Sequence, residues 1–275
     1  MKVLVIQNDV QETVEKNLRH MDTLMSKIPK DSFDFILFPE MFTSPYEHHY
    51  FKLNSQTSDG QVIQYLKKIA KQYHSYVIGG SVPEKDGDKI YNSAFVFNPQ
   101  GHVINKYQKI HLFSITYPNG VTFKESDLLS SGNQLSIIET PYGKVGIIIC
   151  FDIRFPELIK KYREAGCQCL FVPAAFNTYT GPLHWRTTFR ARAIDNQIYM
   201  IGSSPSRQSF GSYEPYGHSL VVDPFGKVIK ELDDKEGYII VDVDLSRVND
   251  ARQRIPIIKN EVNLSDMLIN HEVDQ

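Results

Sequence analysis

Apolar residues along this chain follow two alternating rhythms. KVLVIQND at residues 2–9 starts as an unbroken apolar run and then turns polar, which predicts a buried strand. Residues 11–28 place Val14, Leu18, Met21, Leu24 and Met25 at helical spacing. FDFILFPEM, residues 33–41, predicts a second buried strand that stops at Pro39 with Glu40 immediately after it. Residues 60–74 repeat the helical pattern through Val62, Leu66, Ile69 and Ala70, and YVIGGS at 76–81 predicts a third strand. IYNSAFVF, NPQG and HVINKYQK then form a hairpin, with Pro and Gly where a tight turn needs them.

The second half repeats this order. KVLVIQND is echoed by KVGIIICFD at 144–152, DFILFPEMF at 34–42 by CLFVPAAFN at 169–177, and YVIGGS by YMIGSS at 199–204. NSAFVFNPQGHVI at 92–104 is echoed by HSLVVDPFGKVI at 218–229. Helical stretches at 155–165 and 182–196 separate these strands. Two such halves predict an α/β protein with two sheets face to face and helices outside, in one domain over residues 1–275. Residues 255–275 have scattered apolar positions without a period and are expected to be a C-terminal tail that packs against another subunit. At equivalent strand ends the first half carries Asp9 and Glu40 where the second carries Asp152 and Ala174, and Cys150 answers Gln7. A pseudo-twofold axis would bring Glu40 and Cys150 to one end of the sheets.

Composition narrows the function classes. The 41% apolar content over 275 residues supports a large core. A net charge of −2, from 30 basic and 32 acidic residues without runs of one sign, gives no footprint for nucleic acid or an anionic membrane surface. MKVLVIQNDV turns polar too early for a secretory segment and no apolar run reaches spanning length, so a cytoplasmic protein is expected. Three cysteines are too few for a disulfide scaffold. Cys167 and Cys169 share a strand face without zinc-spaced partners and read as core, so no metal is expected.

Cys150 ends the buried run Val145–Ile149 and is followed by Phe151, Asp152 and Arg154. A buried cysteine is commonly inert; a nucleophilic one needs a proton acceptor and donors for the developing oxyanion. Glu40, half-desolvated after Phe38-Pro39, suits the first need, and a surface ion pair is its plainer alternative. Lys106 and Lys109 in NKYQKIHLF both suit the second, and spacing does not choose between them. His111 is expected to be a structural donor, and Glu125, in TFKES, is open to either reading.

Together PEMF at 39–42, KYQKIHLF at 106–113 and GIIICFDIRFPE at 146–157 resemble the three signatures of the nitrilase superfamily of carbon–nitrogen hydrolases. The resemblance runs from the first strand to about Asp250. It implies a four-layer α-β-β-α sandwich, no metal or organic cofactor, and a homodimer or higher homo-oligomer. It also implies Glu40 as general base, Lys109 as oxyanion-stabilising lysine and Cys150 as nucleophile. SPYEHHYF, HLFSITYPNGVTFKES and FNTYTGPLHWRTTFRARAIDNQIYM are similar to the ω-amidase branch, which hydrolyses the terminal amide of small acids such as α-ketoglutaramate and succinamate. In that branch Glu125 would be a second acid of the site. Arg186 departs from the branch, which more often has an acid after the tryptophan. For the substrate, the backbone N–H of Phe151 is a candidate oxyanion donor, and Tyr46, Phe176, Asn177 and Thr180 are candidate pocket residues. Arg154 either receives a substrate carboxylate or ties its loop through Asp152 or Glu157. An N-carbamoyl amidase of the same superfamily and a non-catalytic binding protein on the same fold are the alternatives.

Overall fold

A computed structural model describes residues 1–29 and 32–262. The first half runs β1 (Lys2–Gln7), α1 (Val14–Ser26), β2 (Phe35–Leu37), α2 (His48–Leu53), α3 (Gln61–Tyr73), β3 (Tyr76–Ile78), β4 (Val82–Asp86), β5 (Lys89–Phe97) and β6 (Val103–Gln108). A small hairpin follows, β7 (Ser114–Thr116) and β8 (Thr122–Lys124). The second half runs β9 (Ser136–Thr140), β10 (Gly143–Ile147), α4 (Pro156–Glu164), β11 (Cys169–Pro173), α5 (Gly181–Asn196), β12 (Tyr199–Ser203), β13 (Leu220–Val222), β14 (Val228–Glu231), β15 (Gly237–Asp242) and α6 (Ser246–Arg254).

Among the described residues the strands form two large sheets. One has the order β15-β1-β2-β3-β5-β4, with β6 on β5; the other has the order β14-β13-β12-β11-β10-β9. Each centre is a parallel trio, and the registers correspond: Val3, Phe35 and Tyr76 align across the first sheet as Val145, Cys169 and Tyr199 do across the second. Carried past the strand ends, this register sets Glu40 opposite Ala174, but it sets Cys150 opposite Asn8, one position beyond the Gln7 expected from sequence.

The central strands read as unbroken apolar runs because both of their faces are covered. Val3, Val5, Phe35, Leu37 and Ile78 face the second sheet, where Phe35 meets Phe171 with ring centroids 5.1 Å apart. Leu4, Ile6, Ile36 and Val77 face α1 and α3, and on the far side of the second sheet Leu158, Ile159, Trp185 and Phe189 close the core from α4 and α5. The layers are therefore α-β-β-α. Each large apolar side chain removed from water contributes about 1.5–3 kcal/mol, so these two-faced strands carry much of the stability.

Several elements depart from the sequence pattern. The strand leading to Cys150 ends at Ile147; Ile148 stays buried and still donates its N–H to the Phe171 carbonyl at 3.2 Å, but Ile149 leaves the ladder and its N–H is taken by the Asp152 carboxylate at 3.0 Å. β4, β9 and the β7–β8 hairpin are short or half-polar strands without a clean period. β15 leaves the second half and pairs antiparallel with β1, Lys2 opposite Asp242. Of the expected tail, the stretch to residue 262 docks on its own chain: Glu261 pairs with Lys160 and, at 2.7 Å, with Arg163 of α4. Residues 263–275 lie outside the described residues.

The turn that delivers Glu40 is clamped from β3. Ser81 donates its N–H to the Pro39 carbonyl and its hydroxyl accepts the Met41 N–H, both at 3.1 Å. Gly80 has φ +57, and a Cβ there would stand 2.1 Å from the Pro39 carbonyl oxygen. Gly87 also has positive φ, +60, but an added Cβ would meet nothing within 4 Å. Gly87→Ala should therefore cost about 1 kcal/mol of backbone strain, whereas Gly80→Ala should cost about 3 kcal/mol or more. Urea midpoints of the two variants check this, and equal losses would show that the close approach at Gly80 is unimportant.

Candidate active site

Four strand ends converge where β2, β6, the β7–β8 hairpin and β10 stop. Tyr107 is buried on β6, and Lys109, two residues on, shares its face and lies fully inside. Lys106 instead points outward to Glu84 at 2.7 Å and Asp86 at 3.9 Å. Strand alternation thus chooses between the two lysines.

The Lys109 ammonium lies 2.8 Å from Glu40 Oε1 and 2.9 Å from Glu125 Oε2, with all three side chains buried. Tyr46 donates its hydroxyl to Glu125 at 2.7 Å and reaches Glu40 at 3.2 Å. Asn92 Nδ2 lies 2.8 Å from Glu40 Oε1 and 3.1 Å from Glu125 Oε1, and the Phe113 N–H donates to Glu125 Oε2 at 2.7 Å. Both oxygens of Glu125 are therefore occupied. Glu40 Oε2 is buried without a hydrogen bond of ordinary geometry, while the Cys150 thiol interacts with the same carboxyl. That oxygen and Asn92 Oδ1 are the buried acceptors of the cluster left without a hydrogen bond, the first of them on a carboxylate.

Charge explains the protonation pattern. Two carboxylates against one ammonium leave a surplus negative charge, so a thiolate beside them is disfavoured. Burial pushes the Cys150 thiol well above its usual range and Glu40 adds to this, against the pull of Lys109. Burial and then Glu125 raise the Glu40 carboxyl, again opposed by Lys109. Burial alone would lower Lys109, but Glu125 and Glu40 outweigh it and hold the ammonium above its ordinary value. Tyr46 is pushed well up by burial and both carboxylates, and so stays a neutral donor. The resting thiol keeps its proton next to a carboxylate with raised proton affinity.

Cys150 has φ +47, an uncommon conformation for a side-chain-bearing residue, and opens the 3-10 turn Cys150–Arg154. The Ala175 N–H lies 3.5 Å from its sulfur. Asp152 secures the turn: it accepts the Ile149 and His111 N–H groups, the Tyr107 hydroxyl at 2.8 Å and the His111 ring at 2.8 Å. His111 also stacks on Phe155 at 3.6 Å, which makes it a structural donor as expected.

A small pocket opens over the sulfur, and Phe151, Arg154, Phe176, Asn177 and Thr180 line it together with Phe113, Ala175 and Tyr213. Tyr46 does not line this pocket, because the two glutamates draw its hydroxyl beneath; Tyr213, stacked on it at 4.6 Å, takes the place in the wall. The Arg154 guanidinium lies 4.8 Å from the Phe176 ring centroid and 5.8 Å from that of Phe151, and burial lowers its pKa. Among the described residues no carboxylate pairs with it, so it does not tie the loop through Asp152 or Glu157. Asn177 holds the turn before α5, its Oδ1 accepting the Thr180 N–H and hydroxyl at 2.8 and 2.9 Å, while its amide donates to the Tyr117 hydroxyl at 3.0 Å. The Arg186 Nε–H is shared between the two carboxylate oxygens of Glu231, at 2.8 and 2.7 Å.

Sequence reading missed Asn92, Tyr213 and His184. For Asn92 a signal existed: it shares the inward face of β5 with Ala94 and Val96, where a polar residue stands out. The fold also assembles Asp9, His20 and Glu236 with metal-ligand atoms within 4.8 Å of one another, a grouping invisible in sequence. His20 and Glu236 hydrogen-bond to each other there, Lys27 lies 3.7 Å from Glu236, and none of them lines the pocket over Cys150.

Residues 2–253 match the Carbon-nitrogen hydrolase family. The chain belongs to that family. Among related hydrolases, it is 42% identical over 262 residues to "Omega-amidase NIT2" of Danio rerio, covering 95% of each chain. It is 39% identical over 260 residues to the Homo sapiens protein of the same name, covering 94% of each. Its fold is similar to that of Saccharomyces cerevisiae Nit3, described as a member of branch 10 of the nitrilase superfamily. There the TM-score is 0.86 and the identity 36%, over 94% of this chain and 96% of that one. As a carbon–nitrogen hydrolase it acts on a small amide.

Replacing Lys109 with Met should destabilise this hydrolase by about 3–5 kcal/mol at neutral pH, because two buried carboxylates lose their cation. Lys109 opposes the rise that burial and Glu125 impose on the Glu40 carboxyl, so without it that group is raised further, and stability is retained at low pH and lost as pH rises through the raised value. Denaturant titrations from mildly acidic to neutral pH check this; a deficit that does not shrink on acidification would contradict it.

Proposed function

We propose that this protein is an ω-amidase, which hydrolyses the terminal amide of a small carboxylic acid monoamide such as α-ketoglutaramate or succinamate to the acid and ammonia. The observation that carries the reading is the pairing of two features across one small pocket. The Cys150 thiol interacts with the Glu40 carboxyl, one oxygen of which has no other hydrogen bond, and the Arg154 cation has no carboxylate partner among the described residues. An unpaired, half-buried cation favours a substrate that brings its own anion.

In the first half-reaction Glu40 takes the thiol proton as Cys150 Sγ attacks the amide carbon. The carbonyl electrons move to oxygen, where the Lys109 ammonium and the Phe151 N–H hold the charge. Collapse breaks the C–N bond, Glu40 passes its proton to the leaving nitrogen, and ammonia departs from a thioester. Water then gives a proton to Glu40 and attacks the thioester; breakage of the C–S bond releases the acid, and Glu40 returns the proton to sulfur. The one carboxylate alternates between base and acid, a role its raised proton affinity suits. Glu125 assists electrostatically: its negative charge raises Glu40, and its oxygens hold Lys109, Tyr46 and Asn92 in place. Phe176 and Thr180 shape the wall, and Asn177 fixes the start of α5. The same reading takes the protein as a cytoplasmic homodimer or higher homo-oligomer.

Cys150→Ala should lower succinamate turnover on the order of 10⁴-fold or more. Mass spectrometry of wild type under turnover should show an acyl adduct on Cys150 that the variant lacks. Retained turnover in the variant would overturn the assignment, and faster hydrolysis of an N-carbamoyl amino acid than of succinamate would move the substrate class. The acid limb of kcat/KM should lie above the ordinary carboxylate range, with activity lost as pH falls and Glu40 is protonated. A pH–rate profile checks its position.

A further inference from the structure

Arg154 is held from one helix at two levels, backbone and side chain. On α5, the Arg192 side chain donates to the Ile153 carbonyl at 2.9 Å and to the Arg154 carbonyl at 3.3 Å, fixing the backbone. One turn inside the start of the same helix, His184 Nδ1 lies 3.1 Å from Arg154 Nη1. An arginine only donates, so His184 accepts there and carries its own proton on Nε2. The helix is itself anchored: Trp185 is buried, donates its ring N–H to the His218 carbonyl at 2.7 Å, and meets Phe176 edge-on at 5.1 Å. Phe176 is also the aromatic wall on which the guanidinium rests.

We propose that His184 is a positioning residue that holds Arg154 in the orientation needed to receive the carboxylate of the substrate, and thereby sets the preference for acidic over neutral amides. Arginine has several rotatable bonds, and aromatic walls attract it without fixing where its N–H fork points. The neutral imidazole occupies one donor and leaves the remaining face of the fork toward the pocket. It adds no negative charge that would compete with the substrate. A glutamate or aspartate at this place would neutralise the cation and remove the reason for an anion to enter. The inference rests on the reading of Arg154 as the carboxylate partner.

The test compares succinamate with butyramide, which replaces the carboxylate by a methyl group. In His184→Ala the ratio of kcat/KM for succinamate to that for butyramide should fall about tenfold, the scale of one hydrogen bond to a charged group, with most of the change in KM for succinamate. His184→Asn, which offers an acceptor near the position of Nδ1, should recover most of the ratio, and His184→Gln, which displaces it, should not. In an Arg154→Met background the same alanine substitution should change the ratio little further. A similar loss on both amides, a loss confined to kcat, or an additive effect in the double variant would overturn the inference. Melting curves identify any variant that fails to fold, and the Asn–Gln comparison then decides alone. If the wild type shows no preference for succinamate over butyramide, the reading of Arg154 and of the substrate class fails first, an outcome distinct from failure of His184.

Discussion

A lysine ammonium shut away from water between two carboxylates is the arrangement on which the rest of this structure depends. Ions in such a place lose their hydration and are tolerated only when opposite charges and hydrogen bonds replace it. Here the replacement is nearly complete: Tyr46, Asn92 and the Phe113 N–H satisfy every carboxylate oxygen except Glu40 Oε2. The vacancy falls on the carboxyl group that interacts with the thiol. One partner too few makes that oxygen reactive, and one negative charge too many keeps the sulfur protonated until an acyl group arrives.

The doubled architecture explains why such a site is built once. The two parallel trios share a register, so equivalent strand ends exist in both halves, yet only one end of each pair carries a reactive group. Glu40 corresponds to Ala174 and Cys150 to Asn8, whose amide donates to the Phe42 carbonyl. Each half contributes a different part to one centre, with Lys109 and Glu125 supplied from the segments that join the halves.

The central strands and the helices beside them were legible in sequence because burial on two faces writes continuous apolar runs, and burial on one writes a helical stripe. Edge strands such as β4 and β9, and the crossing strand β15, mix polar and apolar residues according to neighbours that are distant in the chain. Glu40 and Cys150 stood out at the ends of apolar runs, whereas Lys109 was separated from Lys106 only by the family likeness. His184 could not, since its meaning lies in a contact with a residue thirty positions away on another element. Tyr46 was legible as a site residue but not as to which side of the sulfur it would take, because that depends on the two acids competing for its hydroxyl.

The crossing of β15 to the first sheet has a consequence for assembly in time. β1 is made long before the partner along its outer edge, and the Met1 nitrogen donates to the Val243 carbonyl at 2.8 Å. During synthesis the first sheet therefore waits with an open side while some two hundred residues are added, an exposure that favours misplaced pairing between chains. The closing strand is the seam between the first and the last strands described.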